Sequence, residues 1–238
     1  MPGDLADGFL DGDLERSDML FLVSPHHRAK VTPLFDAQET FKVIEDSIVS
    51  AQHWIYLAYW DLQTDLETRS DYAKKNSLDS WTDLLIDAAK RGVMVRILLN
   101  DFDPDLSRNF HLDAWISYDR LVRGAKQAEL IHGLNLKRFQ VICGMHEAEL
   151  FPDEMLLKLA IAGERGSIIS ELNKIATDDS LQAALQLVDR MPRTWKIIQL
   201  DKSSNTFSLK PAKLRPVHVA SNHQKIFIID RKVAFCGG

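Results

Sequence analysis

One short run of the chain reads Ser221-Asn222-His223-Gln224-Lys225-Ile226-Phe227-Ile228-Ile229-Asp230. It holds an H-x-K-x4-D pattern among β-branched and aromatic residues, which predicts a β-strand with His223 and Lys225 on the same face. Beyond Lys225 both faces are apolar, as in a central strand that is covered on both sides. A lysine that enters such a strand needs a counter-charge, because an unpaired buried ammonium is costly. A bound phosphate is one such counter-charge: Lys225 would hold the anion, and His223 beside it would attack phosphorus.

Asp230 lies an odd number of positions after His223, so a regular strand turns these two side chains to opposite faces. We therefore expect Asp230 to play a supporting part, holding a turn or a nearby basic group. Residues 230–232 predict a turn, and residues 233–235 predict a second short strand, closed by residues 236–238. The motif residues can also occur together by chance, which leaves an ordinary buried strand as the alternative.

The block of residues 223–238 resembles the signature of the phospholipase D superfamily, an H-x-K-x4-D motif followed by a short strand and Gly-Gly or Gly-Ser. The resemblance implies metal-free cleavage of a phosphodiester by three catalytic residues, His223, Lys225 and Asp230. His223 would attack phosphorus to form a phosphohistidine, while Lys225 neutralises charge on the non-bridging oxygens. In this family a second histidine protonates the leaving alcohol, and water or another alcohol then releases the phosphate.

The overall composition is that of an ordinary globular protein, with 238 residues, 45% hydrophobic and 26% charged, and a formal net charge of −5. No run is long and apolar enough to span a membrane, and the acidic start lacks the features of a signal peptide. Cys143 and Cys236 lie in apolar runs, which indicates buried thiols in a reducing compartment. The acidic balance disfavours nucleic acid as a partner. We expect a cytoplasmic protein, with association at a membrane surface left open.

Hydrophobic periodicity predicts alternating helices and strands through the first two thirds of the chain. We expect helices over residues 37–50, 79–90 and 109–132, and strands over residues 54–60, 93–99 and 136–143. Helices and strands that alternate with short connections predict right-handed parallel pairing. The expected fold class is α/β, with a mixed, largely parallel sheet flanked by helices, as in one half of a phospholipase D-like domain.

Two domain boundaries follow from composition. Residues 1–18 are acidic with no sustained period and predict a disordered lead-in, and residues 19–238 predict the catalytic half-domain. An acidic, helical stretch at about residues 147–192 matches nothing in the resembled family, so we interpret it as an insertion. We expect two or three helices there, broken near residues 163–166 and 178–179. Two further strands are expected over residues 195–200 and 206–209.

Three candidate substrate-binding residues follow from the position of the strand ends. In open α/β sheets, ligands bind beyond the carboxyl ends of the strands. Tyr59, Trp60 and Asp101 lie at the ends of the two predicted strands over residues 54–60 and 93–99, so we expect them at the rim of the site. Ordinary strand-end caps and turns explain each of them equally well when it is taken alone.

The function expected from these features is that of one half of an enzyme. No Walker loop, dinucleotide fingerprint, H-E-x-x-H helix or Cys-x-x-Cys pair occurs, and we expect no metal and no cofactor. The resembled family uses two H-x-K motifs per site, whereas only His223 has a lysine two positions on. We therefore expect a fragment, the N-terminal half of a phosphodiesterase or phosphatidyltransferase that acts on phospholipids and is nearly inactive alone.

The expected partners are a phospholipid substrate, which a membrane surface could present, and a second H-x-K half. That half would come from the same polypeptide or from a second copy. Two alternatives stay open, a homodimeric phospholipase D-type nuclease and a non-catalytic half that serves assembly.

Overall fold

The computed structural model describes residues 30–146, 149–150, 155–210, 217–218, 221 and 223–237. The lead-in expected over residues 1–18 lies outside these residues. The chain divides between Phe41 and Lys42 into two units, and the sheet and the candidate site both belong to the second.

Nine short strands lie in the described part of the chain. They are β1 Trp54–Tyr59, β2 Met94–Asn100, β3 Phe139–Gly144, β4 Glu149–Leu150, β5 Ile198–Asp201, β6 Thr206–Leu209, β7 Val217–His218, β8 Lys225–Ile229 and β9 Val233–Cys236. Five of them form one sheet in the order β3-β2-β1-β8-β9. Strand β2 is parallel to β1 and to β3, whereas β8 is antiparallel to β1 and to β9. The sheet is therefore mixed, as the sequence predicts.

Helices connect the parallel strands. The α-helices of the described residues are α1 Ala37–Ser50, α2 Asp71–Lys75, α3 Trp81–Lys90, α4 Arg108–His132, α5 Met155–Asp178 and α6 Leu181–Asp189. Helix α3 begins at a capping box, in which Ser80 and Asp83 each accept a backbone N–H of the other residue. Helix α4 ends at Gly133, whose φ of 67° lies in the left-handed region that closes a helix. Helices α3 and α4 are thus the crossovers that parallel pairing requires.

The main core lies where α3 packs on the sheet. The side chains of Ile55, Val95, Ile97 and Phe227 on three neighbouring strands are 0% exposed. The ring of Trp81 at the start of α3 meets the ring of Phe227 edge-on, with 5.9 Å between the centroids. This contact ties β8 to the same core as the parallel strands.

Glu45 on α1 is a fully buried carboxylate that connects three parts of the chain. One oxygen accepts the backbone N–H groups of Arg69, at 2.6 Å, and Ser70, at 2.7 Å. The other accepts the indole N–H of Trp81 at 3.0 Å. Because a buried charge must be compensated by donors, Glu45 fixes α1 against the loop before α2 and against the start of α3.

A second, smaller core contains helices α5 and α6 and the β5–β6 hairpin. Its buried members are Ile168, Leu172, Ala184, Val188, Ile197, Ile198 and Phe207. The Asn173 side chain pairs with the backbone of Phe207, donating to its oxygen at 3.0 Å and accepting its N–H at 2.7 Å. The hairpin therefore completes the hydrophobic face of the helical segment.

Several sequence expectations need correction. Helix α5 is continuous through Gly163 and Gly166, because apolar packing of its buried residues outweighs the roughly 1 kcal/mol that each glycine costs in a helix. The strand expected from residue 136 starts only at Phe139, since the Asn135 side chain accepts the N–H of Lys137 and caps a 3-10 turn. Similarly, residues 194–196 form a 3-10 turn before β5.

The two cysteines also differ from expectation. Both are free thiols, as predicted, but Cys143 is only half-buried and Cys236 is exposed. Cys236 lies on β9, which is the edge strand of the sheet, so no further strand covers it among the described residues.

We expect Glu45→Ala to lower the free energy of unfolding by about 3 kcal/mol, because it leaves buried N–H donors without an acceptor. Glu45→Gln keeps one carbonyl oxygen and should cost less. Urea denaturation of both variants measures the difference. The neighbouring Asp46 is exposed, so Asp46→Ala provides the control and should stay within about 0.5 kcal/mol of the parent chain. A loss below about 1 kcal/mol for Glu45→Ala would contradict the role given to this carboxylate.

Candidate active site

The H-x-K pair lies where β8 begins, next to the end of β1. Lys225 is the first residue of β8 and pairs in register with Tyr59, the last residue of β1. The backbone N–H of Trp60 donates to the Gln224 oxygen at 2.8 Å, which extends this pairing by one step toward His223. The polar start of β8 therefore meets the carboxyl ends of the parallel strands.

His223 and Lys225 are in direct contact, as predicted, but the strand expected to include both residues begins only at Lys225, so His223 lies just before β8. The Lys225 Nζ lies 3.3 Å from Nδ1 and 3.2 Å from Nε2 of the His223 ring. His223 is exposed and Lys225 is half-buried. A solvent-accessible imidazole beside an ammonium can bind an anion and attack it, because both groups are reachable from the same side.

The strand that follows is covered more fully on one face than on the other. Phe227 and Ile229 share the face of Lys225 and are 0% and 3% exposed, respectively. Ile226 and Ile228 point the other way and are only half-buried. The expectation of a strand covered on both sides is therefore correct for the face of Lys225 and only partly correct for the opposite face.

Asp230 points away from the pair and holds a turn, as the strand parity predicts. Its carboxylate accepts the backbone N–H groups of Gln52 at 2.9 Å, His53 at 2.8 Å and Trp54 at 2.8 Å. Its own N–H donates to the Trp54 oxygen at 2.9 Å. Asp230 therefore ties the end of β8 to the link between α1 and β1.

The charge state of Asp230 follows from these contacts. Partial burial raises the pKa of the carboxyl, but the N–H donors of Gln52, Trp54 and His53 outweigh it, so the pKa lies below the usual value. Asp230 and Arg231 also have positive φ values, 50° and 54°, in the turn of residues 230–232 that joins β8 to β9. The carboxylate thus compensates a turn that is conformationally unfavourable for residues other than glycine.

Two of the three expected rim residues lie at the motif. Trp60 contacts both catalytic candidates, with its ring centroid 5.0 Å from that of His223 and 5.5 Å from Lys225 Nζ. Tyr59 pairs with Lys225 along the backbone and meets the Phe227 ring edge-on, with 6.1 Å between centroids. Burial raises the pKa of the Tyr59 hydroxyl, so this phenol stays protonated at neutral pH.

The third expected rim residue, Asp101, is buried instead. It is 0% exposed, and its Oδ1 accepts the Phe102 N–H at 2.8 Å and the Trp115 indole N–H at 3.1 Å. The His111 Nδ1 lies 2.6 Å from the same oxygen, and the Arg193 Nε donates to Oδ2 at 2.5 Å. A side chain so enclosed offers no exposed surface for a substrate to contact. The position at a strand end was predicted correctly, but the substrate-binding role is not what the geometry favours.

The pKa of Asp101 is set by opposing effects. Burial raises it, but hydrogen bonding and charge from His111 and Arg193 outweigh burial and hold it below the usual value. Because an ionised carboxylate only accepts, the His111 Nδ1 must carry the proton between them. The His111 Nε2 is buried without a hydrogen-bond partner among the described residues.

The residues that contact the Asp101 carboxylate differ in whether the sequence predicts their proximity to each other. His111 and Trp115 are four residues apart on α4, so helix periodicity alone places them on one face. Arg193 lies 92 residues from Asp101, and nothing in the sequence indicates their pairing. Phe102 and Phe110, which pack on Trp60 at 5.5 Å and 4.9 Å between centroids, likewise carried no signal for the site.

Comparison with known proteins assigns no family to the chain: no family model matches it, and no curated protein matches it. Among the described residues, no three His, Cys, Asp or Glu side chains converge on a possible metal site. Within the same residues, no helix has both the length and the apolar character needed to cross a membrane.

Asp230 should make stability depend on pH. Its folded-state pKa lies below the usual value of 3.8, so its stabilisation is complete above that value and is lost as the pH falls through the folded pKa. We expect Asp230→Asn to cost about 1–2 kcal/mol at pH 7 and to flatten the loss of stability below pH 5. Urea denaturation from pH 3 to pH 7 measures both effects.

The exposed Asp46 again provides a control, because Asp46→Asn removes a carboxylate that is open to solvent. Its pH profile should match that of the parent chain. If Asp230→Asn keeps the parent profile too, the carboxylate does not stabilise the turn.

Asp101→Asn should destabilise the fold by about 3 kcal/mol, because it leaves the Arg193 guanidinium without its buried counter-charge. A residue that only contacts substrate would leave the free energy of unfolding unchanged. Arg193→Met, combined with Asp101→Asn in a double-mutant cycle, should recover part of the loss. The exposed Asp113 on α4 supplies the control variant Asp113→Asn. Equal stability of Asp101→Asn and the parent chain would return Asp101 to the substrate-binding candidates.

Proposed function

We propose that this chain supplies the nucleophile half of a phospholipase D-like phosphodiesterase or phosphatidyltransferase. The observation that carries the proposal is the contact of Lys225 Nζ with the His223 ring, at 3.2 Å and 3.3 Å from its nitrogens, at the accessible start of an interior strand. An ammonium and an imidazole that open to the same side are the minimum needed to hold a phosphate and attack it.

The proposed reaction has two displacements at phosphorus. A ring nitrogen of His223 forms the N–P bond while the P–O bond to the alcohol breaks, and the leaving oxygen takes a proton from a general acid. Water or an acceptor alcohol then attacks phosphorus, gives its proton to the same group, and the N–P bond breaks. Lys225 stabilises the negative charge on the non-bridging oxygens during both steps.

The general acid is proposed to come from a second half. Only one H-x-K sequence occurs in the 238 residues, and its histidine is assigned to nucleophilic attack. Proton donation to the leaving oxygen requires a group on the opposite side of phosphorus from the nucleophile. A second H-x-K half, from the same polypeptide or from a second copy, fits this requirement.

The proposed substrate is a phospholipid. A formal net charge of −5 disfavours a polyanionic nucleic acid, because backbone binding depends on an excess of basic residues. Beside His223, the rings of Trp60, Phe102 and Phe110 form an aromatic cluster, and Phe110 is 40% exposed. A charged pair next to an exposed apolar surface suits an amphipathic phosphodiester better than a highly charged one.

We expect the 238-residue chain alone to hydrolyse phosphatidylcholine vesicles and simple phosphodiesters about 100- to 10,000-fold more slowly than a complete two-motif site, because general acid catalysis contributes that much. Joined to a second H-x-K half, the chain should hydrolyse these substrates at the full rate, and His223→Ala should abolish that activity. The exposed His132 gives the matched control, since His132→Ala removes a histidine from the end of α4.

Three arms of the assay separate the alternatives. A rate that rises with the square of chain concentration would mean that two copies build the site, which contradicts a second half from the same polypeptide. Cleavage of DNA in preference to vesicles contradicts the lipid substrate. Activity that survives His223→Ala contradicts the phosphohistidine mechanism altogether.

A further inference from the structure

Trp60 donates two hydrogen bonds next to the motif histidine, one to a residue before His223 in the sequence and one to a residue after it. Its backbone N–H donates to the oxygen of Gln224 at 2.8 Å. Its indole N–H donates to the Ser221 Oγ at 3.1 Å. The two hydrogen bonds therefore lie on either side of His223 in the sequence, at Ser221 and at Gln224, just before β8 begins.

The ring of the same tryptophan lies against both reactive side chains. Its centroid is 5.0 Å from that of His223, with 57° between the planes, and 5.5 Å from Lys225 Nζ. The first contact restricts the rotamers of the imidazole, and the second is a cation–π contact that holds the ammonium. One rigid side chain thus defines the relative position of the two groups.

The Trp60 side chain is itself restricted by packing against two phenylalanine rings. Phe102 packs against it at 5.5 Å between centroids and Phe110 at 4.9 Å. The backbone N–H of Phe102 is bound by the buried Asp101 carboxylate at 2.8 Å. A side chain held in this way has little freedom to move aside for a ligand, and it can transmit its orientation to an exposed neighbour.

We propose that Trp60 is a positioning residue, which orients His223 and Lys225 relative to each other for attack on phosphorus. The indole carries no group that could accept or deliver the proton of the reaction at neutral pH, so its effect passes through the two side chains that it contacts. Orientation of this kind can contribute a large share of a rate, because an exposed imidazole and a flexible lysine otherwise sample many geometries. The proposal differs from the substrate-binding role expected for Trp60, and its kinetic consequence rests on the proposed function.

The structural arm of the test is NMR on the full 238-residue chain. We expect cross-peaks between the ring protons of Trp60 and His223, assigned with His223→Ala. In Trp60→Leu, the His223 ring signals should move toward the positions of an unstructured peptide. In Trp60→Phe and Ser221→Ala, they should broaden or shift partway. Trp195→Phe is the control, since the Trp195 indole donates to Asp189 at the end of α6, at 3.4 Å. His223 signals that are identical in the parent chain and in all three site variants overturn the proposal.

The kinetic arm uses the chain joined to a second H-x-K half. Trp60→Phe should lower kcat about fivefold, the value of one ordinary hydrogen bond, with KM unchanged. Trp60→Leu should lower kcat further, and the Trp60→Phe/Ser221→Ala double variant should be no worse than either single variant. A rise in KM at constant kcat would assign Trp60 to substrate binding and overturn the positioning role.

The two arms fail separately. Absence of any turnover in the joined parent chain overturns the proposed function, whereas the NMR signals still decide whether Trp60 orients His223. Normal turnover in Trp60→Leu, with the parent melting temperature, overturns the positioning role and leaves the proposed function intact.

Discussion

The antiparallel pairing of β1 with β8 is the constraint on which the rest of the structure depends. It joins distant segments, with 176 residues between Trp54 and Asp230 at one end of the pairing, and both of its ends are fixed by polar contacts. At one end Asp230 accepts the N–H groups at the start of β1, and at the other end the Trp60 N–H reaches Gln224. A one-residue slip of this register would turn His223 and Lys225 toward the opposite face.

The same pairing explains where the candidate site lies. In a purely parallel sheet, the first residues of a strand lie at the opposite end of the sheet from the carboxyl ends of the neighbouring strands. Because β8 runs antiparallel to β1, its polar start lies beside Tyr59, the last residue of β1, and Trp60, which follows it. The nucleophile and its cation therefore occupy the edge at which α/β sheets ordinarily bind ligands, although they come from the beginning of a strand.

The sequence predicts these features to the extent that they are local. Two-residue periodicity correctly places Lys225, Phe227 and Ile229 on one face of β8, because strand geometry fixes that relation within a few residues. The predicted contact of His223 with Lys225 and the predicted turn-holding role of Asp230 are also present, although both residues lie just outside the strand. The helices and strands around the parallel pairs are likewise set by short-range periodicity. The sequence does not predict the burial of Asp101, because that carboxylate is paired with Arg193, which is distant in the chain. The continuity of α5 through two glycines also depends on distant packing, in that case against the hairpin.

The helical segment that carries α5 and α6 is connected to the site through charge. Arg193 binds Asp101, and Arg165 on α5 forms a two-pronged ion pair with the buried Asp105, at 3.1 Å and 2.7 Å. Both aspartates belong to the loop that follows β2 and are 0% exposed, so each buried carboxylate gains a guanidinium partner that helps to compensate its burial.

Asp101 in turn binds the backbone of Phe102, whose ring supports Trp60, and Trp60 contacts His223. A continuous set of contacts thus leads from the helical segment to the nucleophile. The segment is therefore more than a surface addition, because its arginines supply guanidinium partners to two buried carboxylates in the loop that holds Phe102 behind Trp60. The geometry of the His223–Lys225 pair consequently depends on residues that contact neither of its two members.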